Sequence, residues 1–103
     1  MSRVHVLAVI TTKPGKREEV LAMFKANVPA VLAEDGCIEY GATVDCADVG
    51  FATPYGADSL VVVEKWASIA ALGAHAASPH MKAYGAKTKD LLADRVIHVM
   101  SDA

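Results

Sequence analysis

Two histidines stand five residues apart in Ala74-His75-Ala76-Ala77-Ser78-Pro79-His80, close to the single tryptophan, Trp66, and to Tyr84. Imidazole changes charge near neutral pH, so such a pair can take a proton, give one or bind a metal. A spacing of five does not put both rings on one helical face as the i, i+4 pair of His-Glu-x-x-His does, and no third ligand is evident nearby, so no metal is expected. His75 comes three residues after Leu72 and six after Ile69, on the side of a helix that packs on a sheet. A lone histidine there is usually a hydrogen-bonded core residue. His80 falls in the first turn of the next helix, four before Tyr84, so a corner rather than a shared face brings the histidines together. Trp66 ends a strand on the face of Leu60, Val62 and Glu64. Core packing and a pocket wall are both open to it, and Glu64 reads as a paired carboxylate at the sheet rim. His5 and His98 lie on neighbouring strands and read as structural.

The elements that position these residues follow from periodicity. Val4 to Thr11 is β-branched and reads as a strand, ended by Lys13-Pro14-Gly15. From Lys16 the residues Val20, Leu21, Phe24, Val28, Val31 and Leu32 form a helical stripe, and Pro29 within it predicts a kink or bend near Lys25. Glu34-Asp35-Gly36 reads as the helix stop. Cys37 to Cys46 is a second strand with Ile38, Tyr40, Ala42 and Val44 on one face, and Ala47 to Asp58 is a loop. Leu60 to Trp66 is the third strand. Ser68 caps a short helix to about Ala76, Ser78-Pro79 opens another to about Leu92, and Arg95 to Met100 is the fourth strand.

The order β-α-β-β-α-β predicts an α+β, ferredoxin-like fold with a four-stranded antiparallel sheet and helices on one face. The opposite face, with Val61 and Val63, then has no cover. Two such faces packed together would make a homodimer built as a dimeric α+β barrel.

Totals agree. The 103 residues suggest one domain spanning 1–103, and 53% hydrophobic content is rich for a chain this short. A dimer interface or an apolar ligand cavity would absorb that surplus. A net charge of -2 without a basic cluster argues against nucleic acid. No apolar run is long enough for a bilayer, and the short alternating start reads as strand rather than signal peptide, so a cytoplasmic protein is expected. Cys37 and Cys46 flank a predicted strand at about 3.3 Å per residue, roughly 30 Å apart, and are expected to be unbridged. There is no phosphate loop, dinucleotide fingerprint, nucleophile elbow or paired-carboxylate signature. An enzyme built this way must work through a shaped apolar pocket and one or two proton-handling groups.

The stretches VPAVLAEDGCIEYGATVDC and DSLVVVEKWASIAALGAHAASPHMKAY resemble the antibiotic-biosynthesis monooxygenase superfamily, closest to its bacterial quinol monooxygenase branch. The most specific elements are Glu64 to Ser68 (Glu-x-Trp-x-Ser) and Ala74 to His80, supported by Gly36-Cys37 and Tyr40. The resemblance implies a dimeric ferredoxin-like fold and oxidation of quinols or electron-rich phenols by O2 without cofactor. It implies a base, His75 first and His80 second, and a slot for an aromatic ring walled by Trp66, Tyr40, Phe24, Met81 and Tyr84. The superfamily also contains haem-degrading members with a strand-1 asparagine, which this chain lacks; Asn27 lies on helix 1. A related isomerase of a phosphorylated sugar would need a phosphate-friendly pocket. A dimer that only binds small aromatics would use the same apolar cavity.

Overall fold

The computed structural model describes residues 3–103. Strand β1 (Val4–Thr12) is followed by helix α1 (Arg17–Leu32), β2 (Cys37–Thr43), β3 (Ser59–Trp66), α2 (Ile69–Ala76), α3 (Pro79–Thr88), a 3-10 turn (Lys89–Leu91) and β4 (Leu92–Ser101). The strands form one antiparallel sheet in the order β2-β3-β1-β4. This is the ferredoxin-like α+β arrangement that the order of elements predicts.

Strict alternation makes β1 two-faced. Val4, Val6, Ala8 and Ile10 are buried, with half-buried residues between them. Leu60, Val62 and Trp66 of β3 and Tyr40 of β2 join that face, and α1 covers it with Val20, Leu21, Phe24 and Val31. Pro29 does not break α1, which continues to Leu32. The loss of one backbone donor near a helix's last turn is tolerated when the flanking face, here Val31 at 0% exposure, is packed.

Both caps form where serine predicts them. The Ser68 side chain accepts from Ala71 N, and Ser78 accepts from Met81 N while its hydroxyl donates to the His75 carbonyl. Ser78 with Pro79 thus makes the corner between α2 and α3. Gly36 has φ +83°, and a Cβ there would sit 2.6 Å from the Ala71 Cβ. Only glycine lets the chain leaving α1 pass so close to α2.

Three sequence expectations are corrected. Strand β2 ends at Thr43 rather than Cys46, and its register shifts between Cys37 and Glu39. The irregularity takes Ile38 off the Tyr40 face and leaves it exposed. Strand β4 begins at Leu92 rather than Arg95, because Thr12 extends the pairing.

The helices do not reach β4. Ile97 and Val99 pair with the buried Ala8 and Val6, yet remain exposed. On the outer face Leu7, Val9, Val61 and Val63 are half-buried and Val96 and Met100 exposed, and among the described residues no helix covers them. Cys37 and Cys46 are free thiols. Among the described residues no helix is long and apolar enough to cross a membrane.

Candidate active site

A cavity of about 450 Å³ opens between the sheet and α3 where the helices stop short of β4. Phe24, Tyr40, His75, Met81 and Tyr84 line it, together with Glu64 and several aliphatic residues of β1 and β4. Phe24 stacks on Tyr40 with ring centres 5.0 Å apart, and Tyr84 meets Phe24 edge-on at 6.3 Å. Asn27 donates to the Met81 sulfur, 3.3 Å away. The volume falls in the range of small-molecule pockets, and aromatic walls of this kind suit a planar ring.

His75 and Glu64 make one polar end of the cavity, backed by Glu34, His80 and Trp66. His75 Nδ1 lies 2.8 Å from Glu34 Oε2, and His80 Nε2 lies 2.8 Å from the same oxygen. His75 Nε2 is 4.0 Å from Glu64 Oε1, which accepts a 2.9 Å hydrogen bond from the Trp66 indole N–H. Trp66 packs its ring on His75 at 4.6 Å. His75 is 4% exposed and Trp66 fully buried, so imidazole and indole hold each other's place by packing.

Burial pushes the Glu34 carboxyl upward, but hydrogen bonds from His75 and His80 and their charge outweigh it and hold Glu34 below its ordinary 4.5. An ionised Glu34 accepts the Nδ1 proton of His75 and leaves the Nε2 lone pair on the cavity side. Glu64 is the opposite case. Burial raises its carboxyl above the ordinary value, against lowering by the Trp66 hydrogen bond and the charges of His75 and Arg95. Burial also raises the Tyr40 and Tyr84 phenols, which stay protonated at neutral pH.

Several placements differ from the sequence reading. Trp66 is not a wall of the slot; it stands behind His75 and Glu64. His80 does not line the cavity and instead shares Glu34 from the outer side. Glu64 is no rim carboxylate but a buried cavity group. Glu34, read only as part of a helix stop, is the third member of the histidine pair. Nothing local marks it, since its partners lie 41 and 46 residues away. Glu34, His75 and His80 do each offer a ligand atom within 4.8 Å of one another. The two 2.8 Å contacts are hydrogen-bond lengths; ligand atoms sharing a tetrahedral zinc at about 2.0–2.1 Å stand roughly 3.3 Å apart.

Residues 3–87 match the family described as antibiotic biosynthesis monooxygenase. The chain belongs to that family. It is 42% identical over 97 residues to the "Probable quinol monooxygenase YgiN" of Escherichia coli, covering 92% of this chain and 93% of that protein. The solved structure of Rv0793 from Mycobacterium tuberculosis superposes with a TM-score of 0.82 at 30% identity, covering 99% of this chain and 96% of that one. PA3566 from Pseudomonas aeruginosa, 23% identical, shares the fold with a TM-score of 0.84 over 100% of this chain and 96% of its own. The cavity beside Glu34, His75, His80 and Glu64 is thus found in a chain of the antibiotic biosynthesis monooxygenase family.

Proposed function

We propose that the protein is a cofactor-free monooxygenase that oxidises a quinol or related electron-rich phenol with O2, with His75 as the base. The observation that carries this reading is the His75 ring, fixed through Nδ1 by Glu34 and turned with Nε2 toward an aromatic cavity. The quinol name of the Escherichia coli relative supports the substrate class.

Triplet O2 reacts slowly with closed-shell molecules because spin must change. A quinol anion avoids this by first giving up one electron. His75 Nε2 takes the hydroxyl proton, and Glu34 and Glu64 stabilise the imidazolium on its two sides. The anion passes one electron to O2, and the two radicals join at the ring carbon beside the new carbonyl, forming a C–O bond. The peroxide takes the proton back from His75. Loss of the ring C–H proton then breaks the O–O bond, and the departing hydroxide leaves with that proton as water. One oxygen remains on the ring, so quinol plus O2 becomes hydroxylated quinone plus water.

A non-catalytic binder of aromatics would not need the base oriented in this way; a histidine tied to backbone and turned from the cavity would serve it equally well. The haem reading finds no support either, since Asn27 is engaged with Met81 and both ring nitrogens of His75 face carboxylates. We assign the bare outer face of the sheet to a homodimer contact, as an apolar sheet face left open requires.

The test is O2 uptake by chelator-treated protein with 1,4-naphthohydroquinone, corrected for autoxidation, beside His75→Ala. Protein-dependent uptake should fall by about 10²-fold or more in the variant, chiefly in kcat. Uptake that disappears with the chelator, or survives in His75→Ala, would refute the reading.

A further inference from the structure

The cavity has a second polar feature that the base does not use. Arg95 and Lys89 line it with exposed side chains, and the Arg95 charge reaches far enough to lower the Glu64 carboxyl. Arg95 faces the helix side of the sheet, since it pairs with the buried Ile10. In register, Ile10 pairs with Leu60, four residues along β3 from Glu64, and β4 lies two strands from β3. Glu64 and Arg95 are thus offset by about 13 Å along the strands and about 10 Å across them at backbone level. Among the described residues neither the Arg95 guanidinium nor the Lys89 amine forms an ion pair or a side-chain hydrogen bond. Val6, Ala8 and Ile10 of the intervening strand β1 line the cavity between Glu64 and Arg95, and Phe24, Tyr40 and Tyr84 are its aromatic lining.

We propose that Arg95, assisted by Lys89, is an anion subsite, and that the substrate is a bicyclic or larger aromatic carrying a carboxylate remote from its reacting hydroxyl. The inference rests on the aromatic-substrate reading above. A guanidinium presents a planar fork of donors that matches a carboxylate with two parallel hydrogen bonds. A ring system lying along the aromatic wall with its hydroxyl at His75 carries its far edge toward Arg95. The carboxylate then sets which end of the ring enters first. A plain phenol could bind either way round, and a hydroxyl away from His75 would not be deprotonated.

The experiment is calorimetric binding of two air-stable probes, 2-naphthol and 6-hydroxy-2-naphthoate, to the wild type, Arg95→Gln, Arg95→Lys and Lys89→Gln, with 1-naphthyl phosphate as a third probe. The carboxylate should bind about tenfold tighter than the naphthol, the worth of one hydrogen-bonded charge pair. That ratio should fall to near one in Arg95→Gln, be partly kept in Arg95→Lys, and shrink with added salt. Equal affinities in the wild type, or a ratio unchanged by Arg95→Gln, would overturn the subsite and leave the quinol reading standing. Preference for the phosphate over the carboxylate would overturn the assigned substrate group. Failure of both naphthalene probes to bind would overturn the aromatic cavity and the subsite with it.

Discussion

His75 Nδ1 and Glu34 Oε2 stand 2.8 Å apart although 41 residues separate them, one at the end of α2 and the other just beyond α1. With Glu34 ionised the contact favours a proton on Nδ1, the tautomer that the proposed base role of Nε2 needs. Glu34→Gln should leave the cavity in place but remove this preference, because an amide can donate to Nδ1 as readily as accept from it. Turnover should drop by about 10²-fold with KM changed far less. A variant in which KM rises and kcat holds would show that Glu34 serves binding alone.

The same pair makes stability depend on pH. Hydrogen bonds from His75 and His80 hold Glu34 below its unfolded value despite its burial. A carboxyl depressed by folding contributes stability that is fully present above about 4.5 and is lost as pH falls through the lower folded value. Melting temperatures of the wild type and Glu34→Gln should therefore differ most at neutral pH and converge on acidification below that point. A gap that stays constant down to strong acid would mean that Glu34 draws no stability from its charge.

The scaffold is largely legible in the sequence because its signals are local. Serine caps at Ser68 and Ser78, proline after the second, and alternating burial in β1 are each written within a few residues. The site is legible by residue type but not by assembly. His75, Tyr40 and Phe24 announce themselves as chemistry or aromatic surface. Glu34 and Glu64 do not, because what makes them unusual is a partner from another element. Periodicity puts Trp66 on the correct face, but it cannot say whether a residue forms the wall or stands behind it. Ile38 departs from its expected face for a different reason, since a register shift of one residue reverses a strand's faces and leaves no mark in a short apolar run.

Glu64 carries a cost that the proposed proton transfer would explain. Burial raises its carboxyl, so folding favours the protonated form. The corresponding stability is present below about 4.5 and is lost as pH rises through the folded value, which leaves a buried charge disfavoured at neutral pH. Glu64→Gln keeps an oxygen for the Trp66 N–H and removes the charge. It should melt a few degrees higher than the wild type at pH 7, with the gain shrinking in acid. Turnover should fall about tenfold, because an anion 4.0 Å from His75 Nε2 no longer stabilises the imidazolium. Scanning calorimetry and O2 uptake on one preparation read both effects; a variant that loses stability at pH 7 would contradict the assignment.

Gly36 ties α2, the helix that bears His75, to the turn that carries Glu34. It lies two residues after Glu34, its carbonyl accepts from Ala67 N, and its missing Cβ makes room for Ala71, four residues before His75. Gly36→Ala meets two penalties, a left-handed backbone at φ +83° and a contact of 2.6 Å with Ala71. Gly15 offers the control, with φ +75° and open space where a Cβ would stand. Gly15→Ala should cost about 1 kcal/mol from the backbone alone, and Gly36→Ala about 1–3 kcal/mol more from overpacking. Relief of that overlap moves α2 away from the end of α1 and lengthens the His75–Glu34 contact. Gly36→Ala should therefore lose turnover beyond its loss of folded protein, while Gly15→Ala should not. Equal stability losses in urea titrations of the two variants would show that α2 yields freely, and that the close approach at Gly36 does not position the base.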